Sequence, residues 1–82
     1  MDIKPAGAVV VKAFLNFGRA PAEGYVIARW HDDIVVWHVY RHPREEIWEC
    51  ETGNYFHYTL ETEDEVWAEA YDCFVKRCGL GM

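Results

Sequence analysis

The stretch Tyr25–Arg41, YVIARWHDDIVVWHVYR, decides the fold. Two runs of β-branched and aromatic residues flank a pair of aspartates, the pattern of antiparallel strands joined by a tight turn. With Asp32-Asp33 as the two-residue turn, Trp30 faces Val35, Ala28 faces Trp37 and Val26 faces Val39. Side chains alternate along a strand, so these apolar residues share one side of the hairpin. That side is expected to lie against a helix. The other side holds Tyr25, Ile27, Arg29, His31, Ile34, Val36, His38 and Tyr40, a mixture too apolar for plain solvent.

Upstream, Val9 to Phe17 alternates, with Val9, Val11, Ala13, Leu15 and Phe17 on one side. Gly18 to Gly24, containing Pro21, forms the loop that follows, and its length leaves the first strand free to lie at an edge or beside a non-neighbour. Downstream, Trp48 to Leu60 predicts a last hairpin. A two-residue loop there would bury Glu49 and Glu51 among Phe56, Tyr58 and Leu60, which is costly. A three-residue loop, Thr52-Gly53-Asn54, instead pairs Cys50 with Phe56 and Trp48 with Tyr58 inside, and turns Glu49, Glu51, Tyr55 and His57 outward.

The helix signals are dense. Thr62 is a good N-cap, Glu65 completes a capping box, Glu63 and Asp64 suit the first turn, Lys76 and Arg77 suit the last, and Gly79 is placed to end it. Trp67, Ala70, Tyr71, Phe74 and Cys78 form one stripe; Glu65, Glu69, Asp72 and Lys76 form the opposite face, where Asp72 can pair with Lys76. The sum is a single α+β domain over residues 1–82: an antiparallel sheet of four to five short strands with one C-terminal helix packed on one face. One helix cannot cover such a sheet, so Tyr25, Ile27, Val36 and Tyr40 are expected on an open face, as a dimer or second interface.

Charge is segregated. Residues 1–44 carry six Lys or Arg against four Asp or Glu, a balance of +2; residues 45–82 carry two against ten, a balance of −8. Between Glu45 and Asp72 no Lys or Arg interrupts the acid, yet Trp48, Tyr55, Phe56, Tyr58, Trp67 and Tyr71 are threaded through it. Acid alone favours disorder; aromatics at this density mean a folded acidic surface. Such a surface either keeps a small domain soluble or meets a basic partner. Three cysteines without a signal peptide point to reduced thiols and a cytoplasmic protein, and no apolar run approaches a membrane span.

Catalytic and cofactor chemistry find little support. His31, His38, His42 and His57 lack the spacing of a structural zinc site, so neither metal nor other cofactor is expected. Cys50 and His57 face each other only in the disfavoured two-residue register, and no nucleophile elbow, phosphate loop or metalloprotease helix occurs, which argues against an enzyme. Scattered basic residues and a net charge of −6 argue against direct nucleic-acid binding.

The framework Ile34-Val35-Val36-Trp37, Trp48, Gly53-Asn54-Tyr55-Phe56, Ala70, Phe74 and Arg77 resembles short uncharacterised strand–strand–helix modules of bacteria and their phages. In size, acidity, aromatic content and lack of motifs the whole chain also resembles anti-CRISPR proteins of phages and mobile elements. That resemblance implies an inhibitor in a bacterial host cell, occupying the basic nucleic-acid-binding surface of a CRISPR effector. The expected partner contacts are Glu45, Glu46, Glu49, Glu51, Tyr55, Glu65, Glu69 and Asp72. The alternative is a homodimeric accessory module of phage or bacterial origin, with the open sheet face as its subunit interface and no inhibitory role.

Overall fold

The structure, a computed structural model, describes residues 1–79. Strands β1 (Val9–Asn16), β2 (Ala22–Trp30), β3 (Asp33–Arg41) and β4 (Glu49–His57) precede one helix, α1 (Glu63–Arg77). The strands form one antiparallel sheet in the order β1-β2-β3-β4, so β1 lies at an edge. The α+β arrangement is the expected one, with four strands. The hairpin turn is His31-Asp32, one residue earlier than expected, because Trp30 pairs with Asp33. His31 occupies the left-handed region at φ 56°, which histidine tolerates better than most residues. Moving the turn by one residue shifts the pairing by two, so Val26, Ala28, Val35, Trp37 and Val39 still share one side.

That side is not the one the helix covers. Ala70 and Phe74 of α1 pack on Ile27, Ile34 and Val36, so the side expected to stay open is the helix side. Ile27 and Val36 are 1% and 0% exposed, which removes both from any open face. The physical reason lies in side-chain size. On the other side, Trp30 and Trp37 pack 5.7 Å apart, and Trp48 is buried beside Phe17 at 5.9 Å, so the indoles roof their own strands. The N-terminal segment completes that roof: Ile3 is buried, Lys4 N–H donates to the Trp48 carbonyl at 3.0 Å, and Trp48 N–H donates to the Asp2 carbonyl at 2.9 Å. The flatter surface of Ile27, Ile34 and Val36 is left to take a helix.

The expected last hairpin does not form. Residues 49–57 are one strand, and Thr52-Gly53 is a bulge in it: Val36 pairs with Asn54, His38 pairs with Glu51, and both bulge residues oppose Trp37. The extra residue reverses the alternation along β4. Trp48 and Cys50 therefore join the tryptophan side, whereas Phe56 and Tyr58 join the helix side. The expectation that all four point inward together fails for this reason. Gly53 is required where it stands, because a Cβ would lie 2.7 Å from both Trp37 Nε1 and a Tyr55 ring carbon. Thr52 sits at φ 51°, a strained conformation for a β-branched residue.

Arg77 holds the bulge from the helix. Its Nη1 donates to the Val36 carbonyl at 3.1 Å, the Thr52 carbonyl at 2.6 Å and Asn54 Oδ1 at 2.8 Å, while the guanidinium lies 5.0 Å from the Tyr25 ring centre. At the other end of α1, Arg29 pairs with Glu63 and lies over Tyr58 and Trp67. The capping box is absent: the Thr62 hydroxyl accepts from Thr59 N–H at 3.0 Å and makes no cap bond to the helix. Gly79 does end the helix, at φ 75° with its N–H on the Lys76 carbonyl. Of the expected stripe, Ala70 and Phe74 are buried, but Tyr71 is 43% exposed and accepts a hydrogen bond from Lys12 Nζ of β1 at 3.0 Å. Asp72 and Lys76 pair at 2.8 Å.

Arg77→Ala should lower unfolding free energy by about 2–3 kcal/mol, since hydrogen bonds from a charged donor lie at the strong end of the range. Lys76→Ala, one residue away on the solvent face, should leave the urea midpoint unchanged. Thr52→Gly should raise stability by roughly 0.5–1 kcal/mol, because relief of left-handed strain exceeds the entropy cost of a glycine. Thermal or urea unfolding of the three variants checks all three expectations.

Candidate acidic binding surface

On the helix side, side chains from successive strands line up in cross-strand rows. Asn16, Glu23, Tyr40 and Glu49 form one row, and Phe14, Tyr25, His38 and Glu51 form the next. The following row contains Ile27 and Val36, which lie under α1. The helix thus ends just before the two rows that carry Glu23, Glu49 and Glu51. No described residue covers them beyond Arg77 and Cys78 at their margin.

These carboxylates surround an aromatic floor. His38 joins two of them, with Nδ1 at 2.9 Å from Glu51 and Nε2 at 3.5 Å from Glu23. Tyr25 lies edge-on to His38 at 5.4 Å, and Tyr40 lies at 6.4 Å from the same ring. Glu23 also meets Arg19 at 2.9 Å, and Glu49 meets Lys4 at 3.2 Å. Such exposed pairs contribute little stability, so a cation from a partner can replace them at small cost. Beside them lies a depression of about 150 Å³ lined by Phe14, Asn16, Glu23, Gly24, Tyr25, His38 and Cys78. A carboxylate with ring walls suits the alkyl stem and charged head of a lysine or arginine.

The expected contact residues separate into three groups. Glu49 and Glu51 lie in the two rows, beside Tyr25 and Tyr40, so the acid and half of the supposed open face share one surface. Glu65, Glu69 and Asp72 are exposed on α1, and Asp72 is tied to Lys76. Glu45 and Glu46 are exposed in the β3–β4 connection. Tyr55 does not belong with them. The bulge turns it onto the tryptophan side, where its hydroxyl accepts from Trp37 Nε1 at 3.2 Å. Glu23 and His38 were absent from the expected set, although Glu23 and Tyr25 share a parity along the chain that pointed to them.

Cys50 packs on the tryptophan side, whereas His57 Nδ1 lies 3.1 Å from Asp33, so the two are not a nucleophile–base pair. Burial, with a smaller contribution from the Glu49 charge, pushes the Cys50 thiol up to about 12. Among the described residues no group of His, Cys, Asp or Glu is arranged to hold a metal ion, and no helix is long and apolar enough to cross a membrane. Comparison with family models, curated proteins and solved structures finds no match to this chain.

The Cys50 thiol has a stability consequence with a definite sign. An exposed thiol ionises near 9.0, the native one only near about 12. Between those values the unfolded chain loses its proton first, so stability present below pH 9 falls as pH rises through the window. Thiol labelling at pH 8 should therefore leave Cys50 unmodified in the folded protein and modify it in urea; peptide mapping after labelling reads this directly.

Proposed function

We propose that this protein is a small acidic binding module that inhibits by occupying a basic, nucleic-acid-handling surface of a larger complex. The observation that supports it is the end of the sheet beyond the described part of α1, where Glu23, Glu49 and Glu51 surround Tyr25, His38 and Tyr40. Carboxylates at this density steer the chain toward a cationic groove, and rings beside them supply desolvated anchors that slow release. The acidic outer face of α1, with Glu65 and Glu69, extends the same field toward the partner. An RNA-guided effector presents the kind of groove that this surface complements, and the anti-CRISPR resemblance names that class of partner.

The alternative accessory module needed Ile27 and Val36 on its subunit interface, and both are buried beneath α1. That leaves Tyr25 and Tyr40 of its proposed contacts on that end of the sheet, among carboxylates that would repel their own copies.

Affinity capture from bacterial lysate should retain a basic, RNA-containing complex at low salt and release it at high salt. Glu49→Lys combined with Glu51→Lys should weaken that capture about tenfold or more, mainly through the association rate, with an unchanged circular dichroism spectrum. Capture of nothing basic, or full capture by the doubly substituted chain at low salt, would count against this surface as the binding site.

A further inference from the structure

The two margins of the sheet are defended unequally. β4 carries Glu49, Glu51 and His57 and is broken by the Thr52-Gly53 bulge, devices that deter the addition of another strand. β1 has none of this acid. From Ala8 to Gly18 the only charged residue is Lys12, and its ammonium is turned onto the Tyr71 hydroxyl. Val9, Val11, Phe14 and Phe17 are 62%, 58%, 46% and 64% exposed. The helix lies over β2, β3 and β4 and meets β1 through the hydrogen bond from Lys12 to Tyr71. A bulge at Val11 throws that side chain outward, but Lys12–Asn16 continue in regular register with β2 and present a straight, unpaired edge.

We propose that two copies of this chain join through β1, paired antiparallel about a two-fold axis at Phe14, into one continuous sheet. This register is self-complementary. Phe14 meets Phe14 of the second copy on the helix side, where cross-strand aromatic pairs are favourable. Lys12 then opposes Asn16, Ala13 opposes Leu15, and Val11 opposes Phe17, so no carboxylate enters the junction. A second copy is favoured over a foreign strand by charge. The chain bears −6 overall, but most of its acid lies on β4, in the loop after β3 and on α1, while Glu23 of β2, the carboxylate paired with Asn16 of β1, is met by Arg19 at 2.9 Å, so two copies repel less at β1 than at β4. The exposed parts of Val9, Val11, Phe14, Phe17 and Tyr71 total on the order of 500 Å² per copy, close to the ~600 Å² per partner at the lower end of specific interfaces. Main-chain hydrogen bonds along Lys12–Asn16 add directionality. Both helices fall on the same side of the doubled sheet, and Glu49 and Glu51 of each copy lie at its far margins.

Sedimentation and light scattering on the wild-type chain should give twice the chain mass at high micromolar concentration. Phe14→Lys, an exposed position, should weaken dimerisation about tenfold or more and return the single-chain mass. Val11→Lys, outside the depression that Phe14 lines, should do the same, and Glu49→Lys with Glu51→Lys should leave the dimer intact; these two variants together separate this interface from the acidic binding surface. Amide exchange on the unmodified protein needs no variant to fold: Lys12–Asn16 should gain protection as concentration rises. A wild-type monomer throughout, a dimer indifferent to both lysine substitutions, or β1 protection that appears only when lysate is added would overturn the proposal.

Discussion

Arg77 clamping the β4 bulge is the interaction on which the rest of the structure depends. One guanidinium nitrogen reaches carbonyls on two strands and a side-chain oxygen, and so joins the last turn of α1 to β3 and β4 together. The bulge it holds reverses the sidedness of β4 midway. Without the reversal, Trp48, Cys50, Phe56 and Tyr58 would crowd one side of the sheet and leave the other bare. With it, the chain builds two small cores, one of indoles and one under the helix. For a chain of this length, two covered faces offset the poor ratio of surface to volume.

That division also sorts charge. The tryptophan side is closed by its own rings and by the N-terminal segment, and the charge placed there is the Arg41 guanidinium, 5.1 Å from the Trp48 ring centre. The helix side ends in Glu23, Glu49 and Glu51 and continues onto the acidic face of α1. The sheet margin at β1 stays nearly uncharged. The acidic surface and the apolar edge adjoin at Phe14, which lines the depression beside Glu23 and belongs to β1.

Much of the candidate surface was legible before any coordinates. The acid between Glu45 and Asp72 is contiguous in the chain, and strand alternation alone puts Tyr25 with His38 and Tyr40. What escaped was the join between them. Glu23 enters the surface through pairing with Tyr40, and Glu49 through pairing with Tyr40 from the opposite side, contacts made across strands that no local pattern announces. Tyr55 was misplaced for the same cause, since a one-residue bulge moves a side chain to the other side without any change in composition.

Local rules determined which residues of β2 and β3 share a side, though not their exact partners, together with the limits and acidic face of α1 and the antiparallel α+β class. Each rests on alternation, turn geometry or helix-end electrostatics within a few residues. Only the tertiary structure decided which side of the sheet receives the helix and that Thr52-Gly53 bends a strand instead of turning a hairpin. Both outcomes hinge on Arg77, distant in sequence from Thr52 and Val36, and on whether indoles or β-branched side chains present the flatter bed. Volume and long-range hydrogen bonding settle such choices, and neither is written in any short window of the chain.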